Sequence, residues 1–212
     1  MEQIFDFLLT PYKEVSTFNI TLELLAVIMG LLSAFFAARN NILVYPTGIV
    51  STCIFVYILA KAGLLGDMII NAYYFVMSIY GWFYWSRKVN GADINPITTT
   101  SLNDSKWGMF IFLGSIIFIW GVYSVFDKWT HWTAYVDTFT TALFFVGMWF
   151  MAKRKLEHWL FWIVGNTITV PLYYHKELLI SSFQYVVLTL IAILGYRAWK
   201  KQLNNPIKTS SR

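Results

Sequence analysis

The feature that most constrains this 212-residue chain is the length of its apolar blocks, which run to about 20 residues between charges. A helix rising 1.5 Å per residue needs about that many to cross a hydrocarbon core of about 30 Å. Composition agrees, since 58% of residues are hydrophobic and 13% are charged. A soluble domain carries about 25% charged residues, and this chain has too few to cover a water-exposed surface. The reading is therefore an all-α integral membrane protein. Blocks bounded by charge, Gly or Pro predict spans at 22–38, 42–60, 68–85, 107–126, 138–152, 156–174 and 178–198. A polar stretch from Ser86 to Lys106, with Asn90-Gly91, Asn95-Pro96 and a Thr98–Ser101 run, reads as a loop or linker. The start of the chain, with Glu2, Asp6 and Glu14 against Lys13, lacks the basic lead of a cleaved signal. Cys53, the lone cysteine, reads as a small packing residue, and neither a disulfide framework nor a cysteine metal site is expected.

Seven spans alternate the sides of the connections, so charges can be summed by side. One side holds Lys13, Lys61, Lys128 and Lys176. The other holds the remaining twelve of the sixteen basic residues, among them Arg39, Arg87, Lys153, Arg154, Lys155 and Arg197. By the positive-inside rule the N-terminus lies outside and the C-terminus in the cytoplasm. The net charge of +5 is thus topological, and no nucleic-acid partner is needed to explain it.

Offsetting the chain against itself by 114 positions aligns 36–85 with 150–199, with eleven identities including Gly81/Gly195 and Trp85/Trp199. Three spans recur with one between them, which makes both copies run the same way. The expected architecture is one transporter domain over 1–212: a first three-helix bundle (22–85), a loop and linker helix (86–126) and a second bundle (137–199). A substrate site is expected near the midplane where the bundles meet.

Span 6 carries Trp162, Asn166, Thr169 and Tyr173 on one face, and span 3 carries Asp67, Asn71, Tyr74 and Ser78. In span 7, Gln184 and Tyr185 lie at similar depth, and span 5 adds Asp137, Thr138 and Thr141. A buried amide such as Asn166 needs a partner in lipid, either a ligand or an interhelical hydrogen bond. Trp82, Trp85 and Trp199 are expected in an inner aromatic belt, and Asp137 as a helix-dipole or capping residue. Aromatics with uncharged polar groups suit a flat heterocycle bearing hydroxyls or amines, and a sugar would also fit. The middle thirds of the spans hold no Asp, Glu, Lys, Arg or His, so no proton relay is evident and facilitated diffusion is expected. No residue set suggests catalysis or a resident cofactor. Vitamin facilitator, sugar facilitator and membrane enzyme are the competing classes.

Asn71–Trp85, NAYYFVMSIYGWFYW, and Asp137–Trp199, with its internal AKRKLEHWLFWIVGN, resemble the Pnu family of bacterial vitamin transporters. The resemblance implies a SWEET-like 3+1+3 fold in the inner membrane, passive import, a trimeric assembly and trapping of the vitamin by a cytoplasmic kinase. It implies ligand contacts at Trp162, Asn166, Asn71, Tyr74, Gln184 and Tyr185, to which the residue pattern adds Thr138 and Tyr173. Nicotinamide riboside members often carry Gln at the position of Asn71, and some carry Glu at that of Gln184. The stretch VPLYYHKELLISSFQY looks closer to the thiamine branch, which places thiamine ahead of nicotinamide riboside, with riboflavin third.

Overall fold

The computed structural model describes residues 17–63, 65–89, 92–127, 129, 131–176 and 179–205, the side chains of 65, 66, 92, 93 and 180 apart. The residues before 17, including Lys13 and the acids weighed with it, lie outside the described residues. Seven helices are described: α1 (Thr17–Ala38), α2 (Val44–Lys61), α3 (Leu65–Ser86), α4 (Leu102–Val125), α5 (Thr133–Ala152), α6 (His158–His175) and α7 (Leu179–Asn204). Five of them, α1, α2, α4, α5 and the Ser181–Asn204 part of α7, are long and apolar enough to cross a membrane. The other two, α3 and α6, carry the polar faces noted in the sequence.

Most helices begin a few residues before the expected span, because polar residues at an interface remain helical. Among them is α4, which starts at Leu102 and not at 107. Ser101 and Asp104 form a capping box there, each side chain bonding the other residue's backbone N–H. The rest of the 86–106 segment is a strap. After the strand pair β1 (Lys88–Val89) and β2 (Ala92–Asp93), Thr98 donates its N–H to Arg154 O and accepts from Leu156 N, at 3.1 and 2.8 Å. Glu157 Oε2 accepts from Thr100 N at 2.8 Å, and Lys155 pairs with Asp104 at 2.8 Å. The strap therefore lies across the α5–α6 turn.

The packing order follows the repeat. In the first unit α2 touches both α1 and α3, and in the second α6 touches both α5 and α7. The units meet through α1 on α7 and α3 on α5, a pair of contacts that interchange when one unit is swapped for the other; α4 packs mainly on α5. Local bonds recur at the same 114-residue offset. Asn40 (φ 52°) and Arg154 (φ 53°) both adopt the left-handed conformation that ends a helix. The following N–H groups, of Asn41 and Lys155, donate to Phe36 O and Phe150 O, each at 2.9 Å. Asn tolerates this conformation. In Arg154 it is held by the guanidinium, which donates to Asn95 O at 2.8 Å and lies 4.3 Å from the Trp85 ring.

Trp85 and Trp199 are corrections to the sequence reading. Expected in an aromatic belt facing lipid, they are 1% and 0% exposed. Trp85 Nε1 donates to Ala152 O at 3.1 Å and Trp199 Nε1 to Ala37 O at 2.8 Å. Each indole thus crosses from one unit to the other, and the two rings sit 5.7 Å apart. These bonds place the C-terminal ends of α1, α3, α5 and the Trp199 turn of α7 at one end of the bundle. Trp82, by contrast, is exposed. Cys53, expected to pack, is also exposed. Asp137 caps nothing, since the α5 N-cap is Trp132; it pairs instead with Lys176 at the far end of α6.

Candidate substrate cavity

Between the two units lies a cavity of about 250 Å³. Five of the expected contacts line it: Asn71 and Tyr74 from α3, Trp162 and Asn166 from α6, and Gln184 from α7. Three do not. Thr138 is buried with its hydroxyl donated to Ala134 O at 2.8 Å. Tyr173 and Tyr185 pack on each other with ring centres 5.2 Å apart, outside the lining, and Tyr185 stacks on Phe144 at 6.4 Å.

Trp162 and Asn166 reach the cavity because residues four apart lie on one helix face. Trp162 stacks on Phe144 at 5.2 Å with 24° between planes, and Gly147 makes room beneath it. A Cβ at Gly147 would lie 3.4 Å from the indole nitrogen. Asn166 is 2% exposed and its Oδ1 has no hydrogen-bond partner. An unmade bond of this kind is costly in a low-dielectric interior, so the amide oxygen is an acceptor held ready for a donor entering the cavity. Trp159 also lines the cavity and leaves its buried Nε1 unpartnered.

Of the opposite wall the sequence offered Ser51 and Thr52, with Thr52 as the offset mate of Asn166; its α1 residues and Gly48 were missed. It is built from Gly30, Ser33 and Ala34 of α1 and Gly48, Ser51 and Thr52 of α2. Ser33 donates its hydroxyl to Val44 O, Ser51 to Ala26 O and Thr52 to Gly48 O, at 2.7, 2.8 and 2.8 Å. With their protons committed, these hydroxyls present lone pairs to the cavity. The wall therefore favours a ligand rich in donors, such as hydroxyl or amide N–H groups. The repeat that pairs Thr52 with Asn166 also pairs Gly48 with Trp162, and that is the signal that would have found Gly48.

No Asp, Glu, Lys, Arg or His appears in the described lining, and the described residues hold no group of three or more metal-ligating side chains. At the end of the bundle where α1, α3 and α5 finish, the Trp85–Trp199 contacts are joined by Tyr45 and Trp159. Tyr45 meets Trp85 edge-on at 5.0 Å, and Trp159 meets Trp199 edge-on at 5.8 Å. Gly81 and Gly195 allow these rings to lie against the helices, since a Cβ there would sit 2.3 Å from Tyr45 and 2.5 Å from Trp159.

Residues 20–201 match the family described as "Nicotinamide mononucleotide transporter". The chain is 25% identical over 206 residues to a protein of Escherichia coli named nicotinamide riboside transporter PnuC, covering 84% of each chain. It is 24% identical over 190 residues to the PnuC of Neisseria mucosa, covering 83% of this chain and 70% of that one. It is 21% identical over 174 residues to the riboflavin/roseoflavin transporter RibM of Streptomyces davaonensis, covering 81% of each. In fold it resembles the crystal structure of the vitamin B3 transporter PnuC, with a TM-score of 0.63 at 19% identity over 95% of this chain and 90% of that one.

Proposed function

Because this chain belongs to the nicotinamide mononucleotide transporter family, we propose that it carries nicotinamide riboside across the membrane by facilitated diffusion through the cavity between its two three-helix units. It is a multi-pass protein of the inner membrane, as its family and its five membrane-length apolar helices indicate. The relatives it matches are transporters and not enzymes. Those described above are named for nicotinamide riboside and riboflavin, so the order of preference drawn from the sequence reverses.

The observation that carries this reading is Asn166, whose buried Oδ1 lacks a partner in a cavity that also holds Trp162 and a wall of committed hydroxyls. A nicotinamide ring offers a flat face to the indole and a carboxamide N–H to the amide oxygen. The ribose hydroxyls supply donors for Ser33, Ser51 and Thr52. Thiamine has a single hydroxyl and meets that wall less fully.

A passive mechanism is supported by the uncharged lining, since a proton- or ion-coupled carrier places titratable groups or ion ligands near its substrate. A like-oriented 3+1+3 repeat of the SWEET type is supported by the recurrent turns at Asn40 and Arg154 and by the reciprocal tryptophan bonds. A cytoplasmic C-terminus is supported by the side-by-side charge count and by Arg154 and Lys155 clustering with Trp85 at one end. Trimeric assembly and trapping by a cytoplasmic kinase remain parts of the proposal that rest on the family resemblance.

The test is uptake of labelled nicotinamide riboside into proteoliposomes, with thiamine, riboflavin and glucose as competitors. Uptake is expected to stop at equal concentrations and to ignore an imposed proton or sodium gradient. Accumulation beyond equality rejects passive transport, and displacement by glucose alone rejects the vitamin.

A further inference from the structure

The cavity is built by equivalent positions of the two units, yet it is not symmetric. Six pairs related by the 114-residue offset both line it: Ala34/Met148, Ala37/Met151, Gly48/Trp162, Thr52/Asn166, Tyr74/Leu188 and Ser78/Ala192. In the four pairs that set α1 and α2 against α5 and α6 the larger side chain belongs to the second unit, whereas Tyr74 and Ser78 of α3 are larger than their α7 counterparts. Between α2 and α6 the smaller side chains are thus on α2, and the pair with the greatest difference is Gly48 against Trp162.

The packing around that pair is exchanged as well. In the second unit Trp162 lies over Gly147, with 3.4 Å to a Cβ built there. In the first unit the same two positions are Gly48 and Ser33, and a Cβ on Gly48 would lie 3.1 Å from Ser33 Oγ and 3.4 Å from Ser78 Oγ. Gly48 therefore carries no side chain where its counterpart carries an indole, and it lies against the Ser33 and Ser78 hydroxyls that also line the cavity. The cavity beside Gly48 is not merely bounded by small residues. The buried, unpartnered Oδ1 of Asn166 lines the same space, and so does Trp162, the ring on which a heterocycle would stack.

We infer that Gly48 is a specificity-determining residue: it sets the width of the slot between α2 and Trp162, and so admits a flat nitrogen heterocycle with its sugar. This rests on the proposed function for the identity of the vitamin, but not for the geometry of the slot. A methyl group at position 48 crowds the Ser33 and Ser78 hydroxyls and narrows the slot they line, and a branched side chain closes it. Trp162 fixes one face of the ring; Gly48 fixes how thick the ligand can be on the other.

The test is calorimetric titration of purified wild-type protein and of Gly48→Ala, Gly48→Val and Gly48→Leu, with Gly114→Ala as control. Gly114 lies on α4 outside the cavity, and a Cβ there meets nothing within 4 Å. Wild type is first titrated with nicotinamide riboside, riboflavin and thiamine, and the tightest of them is used for the series. Affinity is expected to fall about tenfold in Gly48→Ala, from the overpacking a single methyl causes. It is expected to fall further in Gly48→Val and beyond detection in Gly48→Leu. Melting temperature in detergent is expected to stay near that of the control for Gly48→Ala, whose only tight neighbours are hydroxyls. Equal affinity across the series overturns the inference. So does a loss of affinity in Gly48→Ala that comes with an equally marked loss of thermal stability, which marks a purely structural glycine. If Gly48→Leu does not fold, Gly48→Ala decides. If wild type binds a vitamin other than nicotinamide riboside, the functional proposal fails while the slot is still tested.

Discussion

Replacing Trp162 with Ala separates a ligand platform from a packing residue. The indole stacks on Phe144 at 5.2 Å and stands 6.5 Å from the Tyr74 ring, with its remaining face toward the cavity. Removing it deletes one aromatic wall. Stacking of a base on an aromatic side chain contributes about 1–3 kcal/mol, so Kd for nicotinamide riboside is expected to rise by about 5-fold to 150-fold. The structural cost is smaller, because the lost side chain adjoins existing empty space and the Phe144 stack contributes only about 0.5–1.5 kcal/mol. Trp162→Phe keeps a ring and is expected to recover most of the affinity. Isothermal titration in detergent, with melting curves run alongside, provides both readouts. Unchanged affinity in Trp162→Ala would refute the reasoning, as would a collapse of melting temperature with affinity unaltered in the folded fraction.

Other substitutions test the remaining parts of the account. Asn166→Leu keeps side-chain size but removes the acceptor; affinity is expected to fall by about 1–3 kcal/mol, while melting temperature holds or rises, because an unpaired buried amide oxygen is itself costly. Loss of stability without loss of affinity would assign Asn166 to the scaffold. Trp85→Phe and Trp199→Phe each leave a buried carbonyl without its indole donor and are expected to cost about 1–3 kcal/mol by thermal melting. The double variant is expected to fall short of the sum, since the rings are 5.7 Å apart. Gly195→Ala places a Cβ 2.5 Å from the Trp159 ring and is expected to destabilise by about 1–3 kcal/mol in the same assay; equal melting would show that the helices move apart freely there.

Much of this architecture was legible because lipid imposes a length on every span, and because the repeat recurs without a gap. Gly81/Gly195 and Trp85/Trp199 stood out in the offset sequence, and the structure shows why: each glycine accommodates a ring from its own unit's central helix. What composition could not reveal was direction. A tryptophan near a helix end reads as an interface anchor, yet Trp85 and Trp199 turn inward to carbonyls of the opposite unit. Asp137 near a helix start reads as a cap, yet a lysine 39 residues later takes its charge. The α4 start was readable from the Ser101–Asp104 spacing and was obscured by the polar run before it. For the cavity, polar and aromatic residues pointed to one wall, at Trp162, Asn166, Asn71, Tyr74 and Gln184. Glycine and serine in an apolar span carry no comparable signal, so the facing wall at Gly30, Ser33 and Gly48 emerged only from the packing.

The most direct measurement is a structure of the protein with nicotinamide riboside bound. The account predicts the pyridine ring against the Trp162 indole, its carboxamide at Asn166 Oδ1, and the ribose toward Ser33 and Ser51. A vitamin resting on the outer surface, or one held in the bundle without touching Trp162 and Asn166, would contradict it.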